Sequence, residues 1–222
     1  MKLYLSLSTL NVFGVLDFAK SYLRDIEQFI ESQIKKNEDL SRTLNPFEQV
    51  QKNIFDEEFD KDAEVYYKIE LIKNYPNLFR SSLFVSLFSY LESILMKECK
   101  QNQFLLQDEF PNKGSTLDKI KGYLSENLHS NYNFSTSREW NEIKKYQLVR
   151  HCLAHADGNL KLLKDDKEIK NLSKFIAENN EIITLVENDE SVEIFIKEGF
   201  CESFIELIGT FLVDLIDVGR GG

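Results

Sequence analysis

The 222-residue chain carries a net charge of −10, with 42% hydrophobic and 29% charged residues. That balance excludes a disordered tail and a protein that coats nucleic acid with a basic surface. It leaves room for an enzyme that gathers a few cations in one cleft.

With 9 Gly and 3 Pro, and no shift in composition between its halves, the chain reads as a single mainly α domain spanning residues 1–222. The three cysteines, Cys99, Cys152 and Cys201, are odd in number and far apart. They argue against a disulfide framework or a structural zinc site and for a reducing cytoplasm.

The opening "MKLYLSLSTLNVFGVLDFAK" has the outline of a signal peptide. Its apolar run is diluted by Ser, Thr and Asn, no small-residue cleavage site follows, and the helical pattern continues beyond it, so it reads as structure. A helix is expected over 2–37, with Phe13, Leu16, Phe18, Tyr22, Leu23, Ile26, Phe29, Ile30 and Ile34 forming one buried stripe. Asn45-Pro46 supplies a cap and a first-turn proline for a second helix over 46–75. Tyr75-Pro76 is then expected to break the chain before a third helix over 77–101.

That third segment, "SSLFVSLFSYLESILMKECK", is apolar nearly all round and belongs in the middle of a bundle. Glu92 sits within it, and a buried carboxylate needs a cationic partner or takes up a proton. No run reaches the length of unbroken apolar sequence that a membrane span needs.

Further helices are expected over 116–128, 136–157, 166–179 and 198–218. Thr136-Ser137-Arg138-Glu139 has the form of a capping box for the 136–157 helix, with Trp140, Ile143, Val149, Cys152 and Ala156 facing the core and Gly158 as the stop. "EIITLVENDESVEIFI" alternates apolar and polar residues about Asn188-Asp189, predicting an accessory β-hairpin on the bundle.

The chemistry concentrates in "VRHCLAHADG", residues 149–158, the last turns of that capped helix. His151 and His155 stand one turn apart on one face, and Arg150 shares a face with Asp157. Arg150 and His155 lie about 140° apart on a straight helix, so meeting in one cleft requires arginine's reach or a loosened last turn. Three readings compete. Arg150 pairs with Asp157 or Glu92 while the histidines cap carbonyls at a helix C-terminus. His151 and His155 ligate zinc, although no HExxH pattern or third ligand accompanies them. Arg150 and His155 act together on a phosphodiester.

"RHCLAH" resembles the arginine–polar–x–x–x–histidine signature of the HEPN superfamily, and "AHADG" is similar to the way that signature ends its helix. The resemblance covers residues 77–160 and, loosely, the whole chain. It implies a helical bundle and a metal-independent endoribonuclease without a cofactor. Arg150 and His155 match the motif's two fixed positions, and His151 fills its second position, most often Asn in the family. The resemblance further implies a homodimer with a shared cleft, a toxin or defence role, and a restraining antitoxin or regulatory partner. Some members have lost catalysis, so a non-catalytic interaction module and a nucleotide-binding module stand as alternatives.

In the chemical form of this reading, a histidine takes the proton of an RNA 2′-OH. The guanidinium stabilises charge on the phosphoryl oxygens. The products would be a 2′,3′-cyclic phosphate and a 5′-hydroxyl. Two facing copies of Arg150, His151 and His155 would make a locally positive cleft on an acidic protein. Lys144 and Lys145 either extend it or form a solvated face. Glu92 would orient Arg150; Cys152 and Trp140 read as core, and His129 as a surface residue.

Overall fold

The computed structural model describes residues 9–43, 58–106, 114–128 and 132–220. Among them the chain is mainly helical with one small antiparallel β-hairpin near the C-terminus. In order run α1 (Thr9–Thr43), α2 (Glu58–Leu106), α3 (Thr116–Tyr123) continued by a π-helical turn (Leu124–Leu128), and α4 (Arg138–His155). A 3-10 turn (Leu160–Leu162), α5 (Asp166–Glu178), β1 (Ile183–Glu187), β2 (Val192–Ile196) and α6 (Phe200–Arg220) complete the order. The expected helix start at Asn45-Pro46 and the loop residue His129 lie outside the described residues.

The expected break at Pro76 is absent, and α2 runs through it. Proline's fixed φ suits a helix, so its cost is one missing hydrogen bond and crowding against the preceding turn. Burial in the next turns of the helix offsets that cost. Phe84, Phe88, Leu91 and Leu95 are almost wholly enclosed, each such side chain contributing about 1.5–3 kcal/mol. The stretch Asn74–Lys100 is long and apolar enough to cross a membrane by length and composition, contrary to the sequence expectation. Within it Phe84, Phe88, Leu91 and Leu95 lie at the centre of the bundle, while Tyr75, Leu78 and Phe79 are exposed, so the segment is not buried all round as its sequence suggests.

The core is aromatic where α2, α4 and α6 meet. Phe84 packs edge-on against Phe200 and Phe204 of α6 at 5.0 Å, and Tyr146 of α4 completes the cluster, 5.0 Å from each of the same two rings. On α1 only part of the expected stripe is buried. Leu16, Leu23 and Ile30 turn inward with Ala19 between them, whereas Phe18, Tyr22, Phe29 and Ile34 are 71%, 50%, 48% and 42% exposed. The expected stripe is wider than the buried one: a helix on the outside of a bundle buries one narrow seam, with Phe18, Tyr22 and Phe29 to one side of it, while Ile34 continues the line of Leu16 beyond Ile30 and is exposed. A buried ion pair joins α1 to α2, with Arg80 donating two hydrogen bonds to the Glu27 carboxylate at 2.8 and 2.5 Å.

The cap of the helix that carries "VRHCLAHADG" sits one residue later than expected. It is Ser137, whose Oγ accepts from Trp140 N at 3.0 Å, while Thr136 is taken up in a turn closed by Asn133. A reciprocal capping box occurs instead at α3, between Ser115 and Asp118. The core-facing series on α4 is buried, with Tyr146 added to it.

The hairpin pairs Ile183 with Ile196 through Glu187 with Val192. Asn188 closes its loop by accepting from the backbone of Glu190 and Ser191. The outer edge of β2 does not face solvent. Ile194 N donates to Gly158 O at 2.9 Å, and Val192 N to the Asn159 side chain at 3.2 Å. The Asn77 amide, next to Pro76, donates to Ile194 O and accepts from Ile196 N at 3.1 and 2.8 Å. The hairpin is thereby stitched both to α2 and to the residues that end α4.

Candidate functional site

The last turn of α4 is loosened where the site needs it. Ala156 and Gly158 both donate to Cys152 O, at 2.9 and 3.1 Å, and Asp157 and Gly158 have φ of 49° and 79°. Two successive left-handed residues stop the helix sharply, and glycine takes the second at no steric cost. Asp157 is exposed and serves this reversal; among the described residues no ion pair links it to Arg150.

Around that end the side chains converge. Arg150 Nη1 lies 3.4 Å from His155 Nε2, so the arginine's reach overcomes the angular separation on the helix. Its Nη2 is 3.9 Å from Glu92 Oε2, a charge pair across to α2. Its Nε is buried without a hydrogen-bond partner among the described residues. A buried donor without a protein partner costs about 1–3 kcal/mol unless another group meets it. The rings of His151 and His155 meet edge to face with centroids 4.9 Å apart.

His151 has a partner that its own stretch of sequence does not reveal. Its Nδ1–H donates to Glu168 Oε1 on the first turn of α5, a carboxylate whose side chain is 16% exposed. Because a carboxylate only accepts, this contact puts the proton on Nδ1 and leaves Nε2 turned away from Glu168. The available signal was Asp165, which caps α5 and places Glu168 in its first turn, one short connection after α4.

Glu92 is 15% exposed. Burial holds its carboxyl above the usual carboxylate range, and the charges of Arg150 and then Lys144 pull it part of the way back. Of the two readings of the lysines, the structure favours a locally paired, solvated face over a wider positive cleft. Lys144 bonds Asp118 at 3.1 Å and Lys145 bonds Glu142 at 2.6 Å, so both charges are matched locally. Asp118 is held below its ordinary range, first by the Ser115 hydroxyl and further by Lys144.

Cys152 is buried, and burial assisted by the Glu168 charge pushes its thiol up to about 11. That is a core residue and not a nucleophile near neutral pH. Trp140 is enclosed against Phe134 and Phe211. Among the described residues no three His, Cys, Asp or Glu side chains are grouped to hold a metal ion.

The ensemble holds a fixed cation, two imidazoles and two flanking carboxylates at one helix end. It can bind a phosphoryl group through the guanidinium and move protons on either side of it. Comparison of the chain with protein-family models, with curated proteins and with solved structures gave no match, so the reading of this site rests on its own residues and their geometry.

Proposed function

We infer that the protein is a metal-independent endoribonuclease of HEPN type, with Arg150 and His155 as its catalytic pair and His151 assisting. The observation that carries this reading is the 3.4 Å approach of Arg150 Nη1 to His155 Nε2. An arginine offers donors only, so in that contact Nε2 is the acceptor and presents the lone pair a general base needs. An RNA phosphodiester entering there would replace His155 as the guanidinium's partner and hand its 2′-OH to the imidazole. The 2′ oxygen then attacks phosphorus, the guanidinium offsets the added negative charge, and the 5′ oxygen leaves.

The same reading includes a homodimer with RNA bound between two such helix ends, a toxin or defence role, and a partner protein that restrains it. The test is cleavage of a mixed RNA in EDTA by wild type, Arg150→Ala and His155→Ala, each checked for folding. Cutting by wild type alone, leaving 2′,3′-cyclic phosphate ends and sparing DNA, supports the proposal. Intact RNA after incubation with folded wild type on several substrates overturns it.

A different observation favours the second reading, a non-catalytic interaction module. Phe18 and Tyr22 stack on the exposed side of α1, and Phe29 packs edge-on against Phe79 of α2, leaving an aromatic strip on the surface. Such strips mark protein contacts.

A further inference from the structure

The geometry points to a division of labour between the two histidines: His155 takes the proton from the nucleophile, and His151, held by Glu168, gives one to the leaving group. This rests on the ribonuclease reading and assigns to Glu168 a role as a positioning residue. Three observations carry it. The imidazoles meet edge to face with centroids 4.9 Å apart, close enough to serve one phosphodiester. Their surroundings are opposite in charge, for His155 faces the Arg150 guanidinium and His151 faces a carboxylate from another helix. Glu168 is also largely enclosed while His151 is 46% exposed, so the carboxylate meets the ring at Nδ1 from the protein side while the side chain stays half in solvent.

The chemistry derives from those surroundings. A guanidinium on Nε2 selects the unprotonated nitrogen of His155, the form that accepts a proton. A carboxylate on Nδ1 fixes the orientation of His151, and in its doubly protonated form the ring donates from Nε2. In the reaction the 2′-OH proton passes to His155 Nε2 as the 2′ oxygen bonds to phosphorus. The bond from phosphorus to the 5′ oxygen breaks, and its electron pair takes the proton from His151 Nε2. The products are a 2′,3′-cyclic phosphate and a 5′-hydroxyl. His155 ends with one proton more and His151 with one fewer, and exchange with water restores both. Nothing is oxidised or reduced.

The test separates acid from base through the leaving group. Wild type, His155→Ala, His151→Asn and Glu168→Gln, each confirmed folded by thermal melting, are compared in EDTA. The substrates are an RNA oligonucleotide and uridine 3′-(4-nitrophenyl phosphate), whose leaving group needs no proton. On RNA, His151→Asn is expected to lose about 10²–10⁴-fold in kcat, and Glu168→Gln about 10–100-fold. On the nitrophenyl ester both should stay near wild type, while His155→Ala fails on both substrates. In ¹⁵N spectra the Nδ1–H tautomer of His151 should give way to a mixture in Glu168→Gln, a change independent of turnover.

Equal losses for His151→Asn on the two substrates, with wild type active, would overturn the acid assignment and leave the ribonuclease reading standing. An unchanged His151 tautomer in Glu168→Gln would remove Glu168 from it. Wild type inactive on both substrates would overturn the ribonuclease reading itself.

Discussion

Arg150 spans the last turn of its own helix to meet His155, while its other terminal nitrogen faces Glu92 on α2. The guanidinium is thus aimed by a residue from a different helix. Replacing it tests shape as well as charge. Arg150→Lys keeps the charge but loses the planar fork that reaches both partners. It is expected to lower RNA cleavage by about 10²–10³-fold, nearly as far as Arg150→Ala, with little change in melting temperature. Single-turnover cleavage in EDTA checks this.

Glu92 is expected to show a trade between stability and orientation. Its carboxyl is held above the ordinary value of 4.5. The folded state therefore binds its proton more tightly than the unfolded chain does. That contribution is complete below the unfolded value and is lost as pH rises through the raised folded value. Glu92→Gln stays neutral throughout. Relative to wild type, its melting temperature should rise as pH moves upward through that window, while its cleavage rate falls because Arg150 has lost its anchor. Paired melting curves at acidic and neutral pH, with one activity assay, test both halves.

The Glu27–Arg80 pair is enclosed, with side chains 17% and 10% exposed. Removing one member strands a buried charge, so Glu27→Ala should cost about 3–5 kcal/mol. The double replacement Glu27→Leu with Arg80→Leu should cost markedly less than that. Urea denaturation of wild type and both variants decides it.

All three thiols should be silent in the folded protein. Burial pushes Cys99 and Cys201 up to about 12 and Cys152 to about 11, so near neutral pH little reactive thiolate forms. A chromogenic disulfide reagent should label none of them within minutes under native conditions, and all three once the chain is unfolded.

What the sequence made legible stops at a physical boundary. Steps of three picked out Ile143, Val149 and Cys152 as core-facing, and all three are buried, along a stripe that winds round α4 as three-residue steps require. Sequence pattern failed at Pro76, where local preference was outweighed by tertiary burial further along α2. It also failed at Phe18 and Tyr22, because the width of the buried seam on α1 is set by neighbouring helices and not by α1 itself. The site divides likewise. Arg150, His151 and His155 stood together in the sequence, whereas Glu168 lies 17 residues past His151 and meets it only because α5 folds back along α4. Lys144 and Lys145 could be counted from sequence, but their neutralisation by Asp118 and Glu142 needed the fold.

A helix C-terminus left to itself frays, and a site built on one would exist only part of the time. Here the carbonyl of Gly158 and the side chain of Asn159 hold the edge of β2, where Asn77 takes Ile194 O and Ile196 N. Opening the end of α4 would strip hydrogen bonds from a strand seated on the core. Local opening and unfolding of the hairpin are thus a single event. The amide protons of Ile194 and Ile196 should exchange with solvent no faster than those of the bundle's interior, and the turn that carries Arg150 and His155 inherits that persistence.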